Sequence, residues 1–122
     1  MRNVPKSVKN ACIGLIYCFR TQRNMAIHGL AGAAVLAAGL FFRVGLINMF
    51  FLITAIALVL TAETFNTAVE KTIDLYTKKR NHLAQTSKDV AAGAVLLTAL
   101  YAVIVGIVVL GPPLWSLIEG LL

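Results

Sequence analysis

Residues 46–74 read LINMFFLITAIALVLTA followed without a break by ETFNTAVEKTID. The first part carries no formal charge and is long enough, by a small margin, to cross a hydrocarbon layer as a helix. The second part places Glu63 directly after it, at or just inside a bilayer edge. At about 100° per residue, a helix continuing through Asp74 gathers Glu63, Asn66, Glu70 and Asp74 on one face. Ionisable groups are expensive at that depth and are read as functional by default. Four of the five carboxylates of the chain lie between Glu63 and Asp89, and a polar stripe of this kind needs a polar site to face.

The rest of the composition agrees with a membrane setting. The chain has 122 residues, enough for one domain, with 59% hydrophobic and 13% charged residues and a mean hydropathy of +0.84. Soluble domains carry about 25% charged residues. A net charge of +6 on so apolar a chain points to anionic headgroups and phosphate rather than to nucleic acid. Cys12 and Cys18 match no zinc or redox spacing. They are expected to be free thiols on the reducing side, without a catalytic role.

Working outward, the first 24 residues hold Arg2, Lys6, Lys9, Arg20 and Arg23 and no acid. From Pro5 onward, Val8, Cys12, Leu15 and Phe19 form an apolar line flanked by cations, which predicts an amphipathic surface helix over 5–23. Arg20 to Asn24 follow the apolar part where a signal peptide would have small residues, so cleavage is not expected. Residues 25–42 form a first span rich in Gly and Ala, which suits close helix packing in lipid. Arg43 to Gly45 make a tight connection, and residues 46–74 are a second span with a cytoplasmic extension. Tyr76 to Gln85 form a polar loop, and residues 87–110 form a third span opened by a Thr86 or Ser87 cap. Gly111-Pro112-Pro113 should end that helix, with Trp115 as an interface anchor. Ten of the eleven Lys and Arg residues fall before Met25 or between Glu63 and Asp89. The positive-inside rule then sets the N-terminus in the cytoplasm and the C-terminus outside.

Acids beside many cations suit a polyanion held through a divalent metal. Magnesium takes one or two carboxylates and completes its shell with phosphates and waters. Glu70 and Asp74, one turn apart, can address such an ion or its phosphates together. Glu63 lies ~10 Å from Glu70 along the axis and needs a different task. Nearest the hydrocarbon, it suits a general base acting on a lipid alcohol, with Asn66 to orient that acid or the substrate. Lys88, near a helix start, suits a phosphate, while Asp89 suits the positive end of the helix dipole. The bland alternatives are ion pairs of Glu70 and Asp74 with Lys71 or Lys78, and a snorkelling Lys88. His28 and His82 have no metal-ligand spacing, and neither is expected to be catalytic.

The pattern Glu63-x-x-Asn66-x-x-x-Glu70-x-x-x-Asp74, with Lys88-Asp89-x-Ala-Ala-Gly-Ala-Val after it, closely resembles the prokaryotic diacylglycerol kinase family. Asn10-Ala-x-x-Gly14-Leu and Arg23-Asn24-x-x-Ile-His28 fit the same family, so the resemblance covers almost the whole chain. Ala91-Ala-Gly-Ala-Val95 looks more like the Gram-positive undecaprenol kinase branch, since the enterobacterial branch carries a serine where Ala92 stands. The resemblance implies an all-α integral membrane protein, a homotrimer of chains with one surface helix and three transmembrane helices. It further implies a bacterial inner-membrane kinase using ATP and Mg2+, with Glu63 as proton acceptor supported by Asn66, and Glu63 and Ala92 meeting the lipid acceptor. Asn10, Gln22, Glu70, Asp74, Lys88 and Asp89 would form the nucleotide site, with Glu70 and Gln22 toward the metal. Gln22 is a departure, because the family usually has a glutamate there. The expected reaction is transfer of the γ-phosphate of ATP to undecaprenol, with diacylglycerol as the runner-up acceptor. A small proton- or cation-coupled transporter and a non-enzymatic scaffold are the alternatives of other classes. The acid stripe continuing outward beside Lys88 and Asp89 favours the kinase.

Overall fold

The computed structural model describes residues 3–122, so Arg2 of the basic N-terminal segment lies outside the described residues. Four helices follow one another: α1 (Val4–Thr21), α2 (Arg23–Phe41), α3 (Leu46–Tyr76) and α4 (His82–Leu121). The last three are long and apolar enough to cross a membrane. Among the described residues there is no strand.

Local chemistry accounts for the helix ends. Pro5 sits in the first turn of α1, where its missing N–H is no loss. Gln22 adopts an extended backbone (φ −107°, ψ 113°) that separates α1 from α2. Between α2 and α3 the chain reverses through Arg43 (φ 51°) and Gly45 (φ 90°), and the left-handed conformation at the second position favours glycine. Asn81, not Thr86 or Ser87, caps α4: its Oδ1 accepts from the N–H of Leu83 at 2.9 Å and of Ala84 at 3.2 Å. The hydroxyls of Thr86 and Ser87 donate instead to carbonyls one turn back, His82 and Leu83. The helix thus opens inside the polar segment, before the apolar run begins.

A second difference falls at the far end. α4 continues through Pro112 and Pro113 to Leu121, where the sequence predicts a stop. A proline withdraws one N–H and crowds one carbonyl, but apolar helices tolerate this where leaving the helix would expose more polar backbone. Beyond the prolines, the Trp115 indole donates to Glu119 Oε1 at 2.7 Å, one turn on.

α3 is the centre of the packing. It meets α4 along most of its length and α2 on another side. Leu52, Ala55, Val105 and Val109 are the buried centre of the α3–α4 seam. Glycines set the α2–α3 approach: a Cβ at Gly32 would stand 2.9 Å from Ile56 Cγ2, and one at Gly39 would stand 3.0 Å from Leu52 Cδ1. Gly29 serves α1 in the same way, since its Cβ would meet Phe19 Cε1 at 2.6 Å. Ala31, Ala33, Ala34 and Ala37 of the same small-residue helix are exposed, so only part of that set is used within the chain. Val8, Leu15 and Phe19 of α1 are exposed too, whereas Cys18 is buried. Large apolar side chains cover most of the outside, the reverse of a water-facing surface.

Candidate active site

The polar stripe of α3 forms as the spacing predicts, and each member has its own surroundings. Glu63 is 2% exposed, the only buried carboxylate among the described residues. It lies one helix position beyond the buried Ala62, opposite α2. There His28 Nε2 stands 3.6 Å from Glu63 Oε1. The neighbouring hydroxyl of Thr67, also buried, is occupied by the Glu63 backbone carbonyl at 2.9 Å. Thr64 is spent in the same way on Leu60.

One turn outward, Asn66 Nδ2 donates to Glu70 Oε1 at 3.4 Å. This leaves Asn66 Oδ1 buried with no hydrogen-bond partner. Native structures rarely leave such an acceptor unmatched without a reason, and an absent ligand or ion is one. Asn66 therefore touches Glu70 rather than Glu63, the acid it is one candidate to orient.

Further outward, Asp74 Oδ1 and Lys88 Nζ form an ion pair at 2.7 Å. The bland reading of Asp74, a pair with Lys71 or Lys78, is thereby replaced. Lys71 instead lies 5.9 Å from the centre of the Tyr17 ring, a contact that fastens α1 beside the outer part of α3. The Lys88 hydrogen bond holds the Asp74 carboxyl below the ordinary carboxylate range, helped by the charges of Lys88, Lys71 and Lys78 and opposed by partial desolvation. Asp74, Lys78, Lys79, Arg80, His82 and Lys88 line an open cleft of about 490 Å³ between the end of α3 and the start of α4. Its surplus of cations suits a polyphosphate.

Lys88 reaches this cleft through its side chain alone. It sits in the second turn of α4, so the free N–H groups expected beside it belong to residues one turn earlier, and Asn81 already occupies two of them. Asp89 accepts from Gln85 Nε2 at 2.8 Å. Gln22 donates to Thr21 Oγ1 at 3.1 Å, and Asn10 and Ala92 are exposed on α1 and α4. No hydrogen bond joins Asn10, Gln22 or Ala92 to the stripe among the described residues. Sequence spacing assigns His28 no catalytic part. It stands in the family-like run Arg23-Asn24-x-x-Ile-His28, but its contact with Glu63 joins positions on two different helices, which no local pattern encodes.

The donor set suits magnesium better than a cation caged by protein. Among the described residues no group of three or more His, Cys, Asp and Glu side chains is gathered closely enough to hold a metal ion. Instead, Glu70 and the unmatched Asn66 Oδ1 offer oxygen atoms one and two turns before Asp74, which lines the cationic cleft, and such a sparse protein contribution is what magnesium–phosphate sites use.

Fold and site together define a small helical membrane protein with a buried acid at one end of a polar line and an open basic cleft at the other. Residues 9–110 match the family described as prokaryotic diacylglycerol kinase. A diacylglycerol kinase of Synechocystis sp. is 44% identical over 116 residues, covering 94% of this chain and 66% of that protein. An undecaprenol kinase of Bacillus subtilis is 37% identical over 109 residues, covering 89% of each. The chain thus spans just under two thirds of the Synechocystis relative. It belongs to the prokaryotic diacylglycerol kinase family, a family of lipid kinases, and that membership sets aside the transporter and scaffold readings.

Proposed function

We propose that this chain transfers the γ-phosphoryl group of ATP to undecaprenol at the inner face of the bacterial cytoplasmic membrane. The observation that carries this reading is the burial of Glu63 at one end of a line whose other end, Asp74 and Lys88, opens on the basic cleft. Such a line suits an apolar acceptor entering from lipid and a charged donor entering from water.

In this reading Glu63 accepts the proton of the acceptor hydroxyl. The oxygen so freed bonds to the γ-phosphorus, the bond from phosphorus to the β–γ bridging oxygen breaks, and ADP leaves with that oxygen. Phosphoryl transfer asks the protein mainly for positioning and charge neutralisation. Lys88 and the cations of the cleft supply neutralisation, while Asn66 fixes Glu70. Magnesium held at Glu70, with Gln22 as a further oxygen, would offset charge on the β- and γ-phosphates. Asn10 and Asp89 complete the nucleotide site, and Ala92 borders the acceptor. The exposed apolar sides of α3 and α4 suit lipid and two further copies of the chain, a homotrimer. α1, with its exposed apolar line and flanking cations, lies in the headgroup plane. The basic residues near α1 and the cleft favour a cytoplasmic N-terminus.

Undecaprenol is preferred over diacylglycerol because the run Ala91 to Val95 matches the undecaprenol kinase pattern. The 44% identity to a diacylglycerol kinase favours the other acceptor. Purified protein with labelled ATP and both lipids decides between them. Glu63→Gln should lower turnover by about 10²–10⁴-fold, the usual contribution of a general base, with ATP binding retained. Full activity of this variant would remove Glu63 from the mechanism.

A further inference from the structure

The role of Glu63 as base leaves one question open: what holds a carboxylate in place at a site so well shielded from water. Hydroxyls of the same helix do not, since Thr64 and Thr67 both donate to backbone carbonyls. Asn66 does not either, because its amide donates to Glu70. Of the two close contacts between a basic and an acidic side chain among the described residues, one belongs to Asp74 and Lys88 and the other joins Glu63 to His28. His28 is thus the group that α2 contributes to the acid.

We infer that His28 is a positioning residue for Glu63, its Nε2 atom holding one carboxylate oxygen so that the other is presented to the acceptor hydroxyl. This rests on the reading of Glu63 as proton acceptor. The 3.6 Å separation exceeds a direct hydrogen bond, but contacts of this kind are often long in unliganded sites and tighten when substrate is bound. The ring is well placed to close the gap. Its side chain is 28% exposed against 3% for Glu63, and it borders a cavity of about 100 Å³ that includes Gly32, Ala55 and Val59. A histidine there has room to turn toward the acid. The arrangement also explains why the one titratable side chain between Arg23 and Arg43 sits on the side of α2 facing α3. An uncompensated carboxylate in such a place is costly, and a partner that can carry positive charge or donate a hydrogen bond relieves that cost.

Gln and Asn separate the geometry from simple packing. A Gln side chain can place its amide nitrogen near the position of Nε2, and Asn reaches only as far as Nδ1. His28→Gln should keep turnover within about threefold of wild type, while His28→Asn and His28→Ala should lose ten-fold or more in kcat with the KM for ATP unchanged. Thermal unfolding in detergent, measured alongside, checks that all three variants fold. Equal activity of the Gln and Asn variants, at whatever level, would overturn the inference, as would full activity of His28→Ala. If His28→Ala does not fold, the Gln and Asn pair alone decides. Glu63→Gln, assayed in parallel, keeps the two ideas apart. An inactive Glu63→Gln beside a fully active His28→Ala removes His28 only, whereas an active Glu63→Gln removes the base itself.

Discussion

Replacing Gly32 by alanine tests whether the α2–α3 approach positions the acid site. Two effects oppose each other. Alanine is the better helix former by about 1 kcal/mol. The new methyl, however, would stand 2.9 Å from Ile56 Cγ2 and 3.4 Å from Cγ1, and those atoms lie close to the backbone of a half-buried side chain, so they cannot simply swing aside. Overpacking of this kind costs about 1–3 kcal/mol. The net expectation for Gly32→Ala is a loss of roughly 0–2 kcal/mol, with α2 pushed away from α3. His28 lies one turn before Gly32, so the displacement also widens its gap to Glu63, and turnover should fall with stability. Ile56→Ala makes room for the methyl. The double variant should therefore be more stable than the sum of the singles by about 1 kcal/mol or more, the coupling expected of residues in contact. Unfolding in detergent measures the stability, and phosphorylated lipid formed from labelled ATP measures the turnover. A Gly32→Ala protein stabilised by the full helix-forming gain, with or without Ile56, would show that this contact does not limit the approach.

Two further outcomes follow from the outer half of the site. Because the Asp74 carboxyl is held below its ordinary range, chiefly by the Lys88 hydrogen bond, the stabilisation from the pair is present above the unfolded-state value near ~4 and is lost as pH falls through the lower folded value. Carboxyl NMR should show Asp74 titrating at higher pH in Lys88→Met than in wild type, and identical titrations would deny the pair its role. Gln22→Glu should change the magnesium dependence of turnover, by adding a charge where the family usually has one. An unchanged metal titration would put Gln22 outside the metal shell.

What could be read from the chain before its structure divides along physical lines. The three apolar helices were legible because a long uncharged run has few other options in lipid, and the stripe from Glu63 to Asp74 was legible because helical spacing alone puts it on one face. The two ends of α4 were not. Hydropathy rises only after Thr86 and Ser87, but the helix is capped by Asn81 inside the polar stretch. Two prolines signal an end at 112–113, and the apolar helix absorbs them. The partner of Glu63 was hidden for a different reason: residues 28 and 63 meet only because α2 packs on α3, and no local pattern encodes that meeting. The same holds for the Asp74–Lys88 pair, whose members stand at one interface by pattern alone but are bonded only because α4 packs on α3.

The length of α4 has its own consequence. At 1.5 Å per residue its 40 residues extend ~60 Å, about twice the hydrocarbon thickness of a bilayer. A rod of that length, carrying Lys88 near one end and Trp115 near the other, cannot stay upright and fully covered at once. A thinner bilayer therefore favours a steeper lean, and because α3 is packed along α4 the two helices lean together and carry the Asp74–Lys88 pair with them.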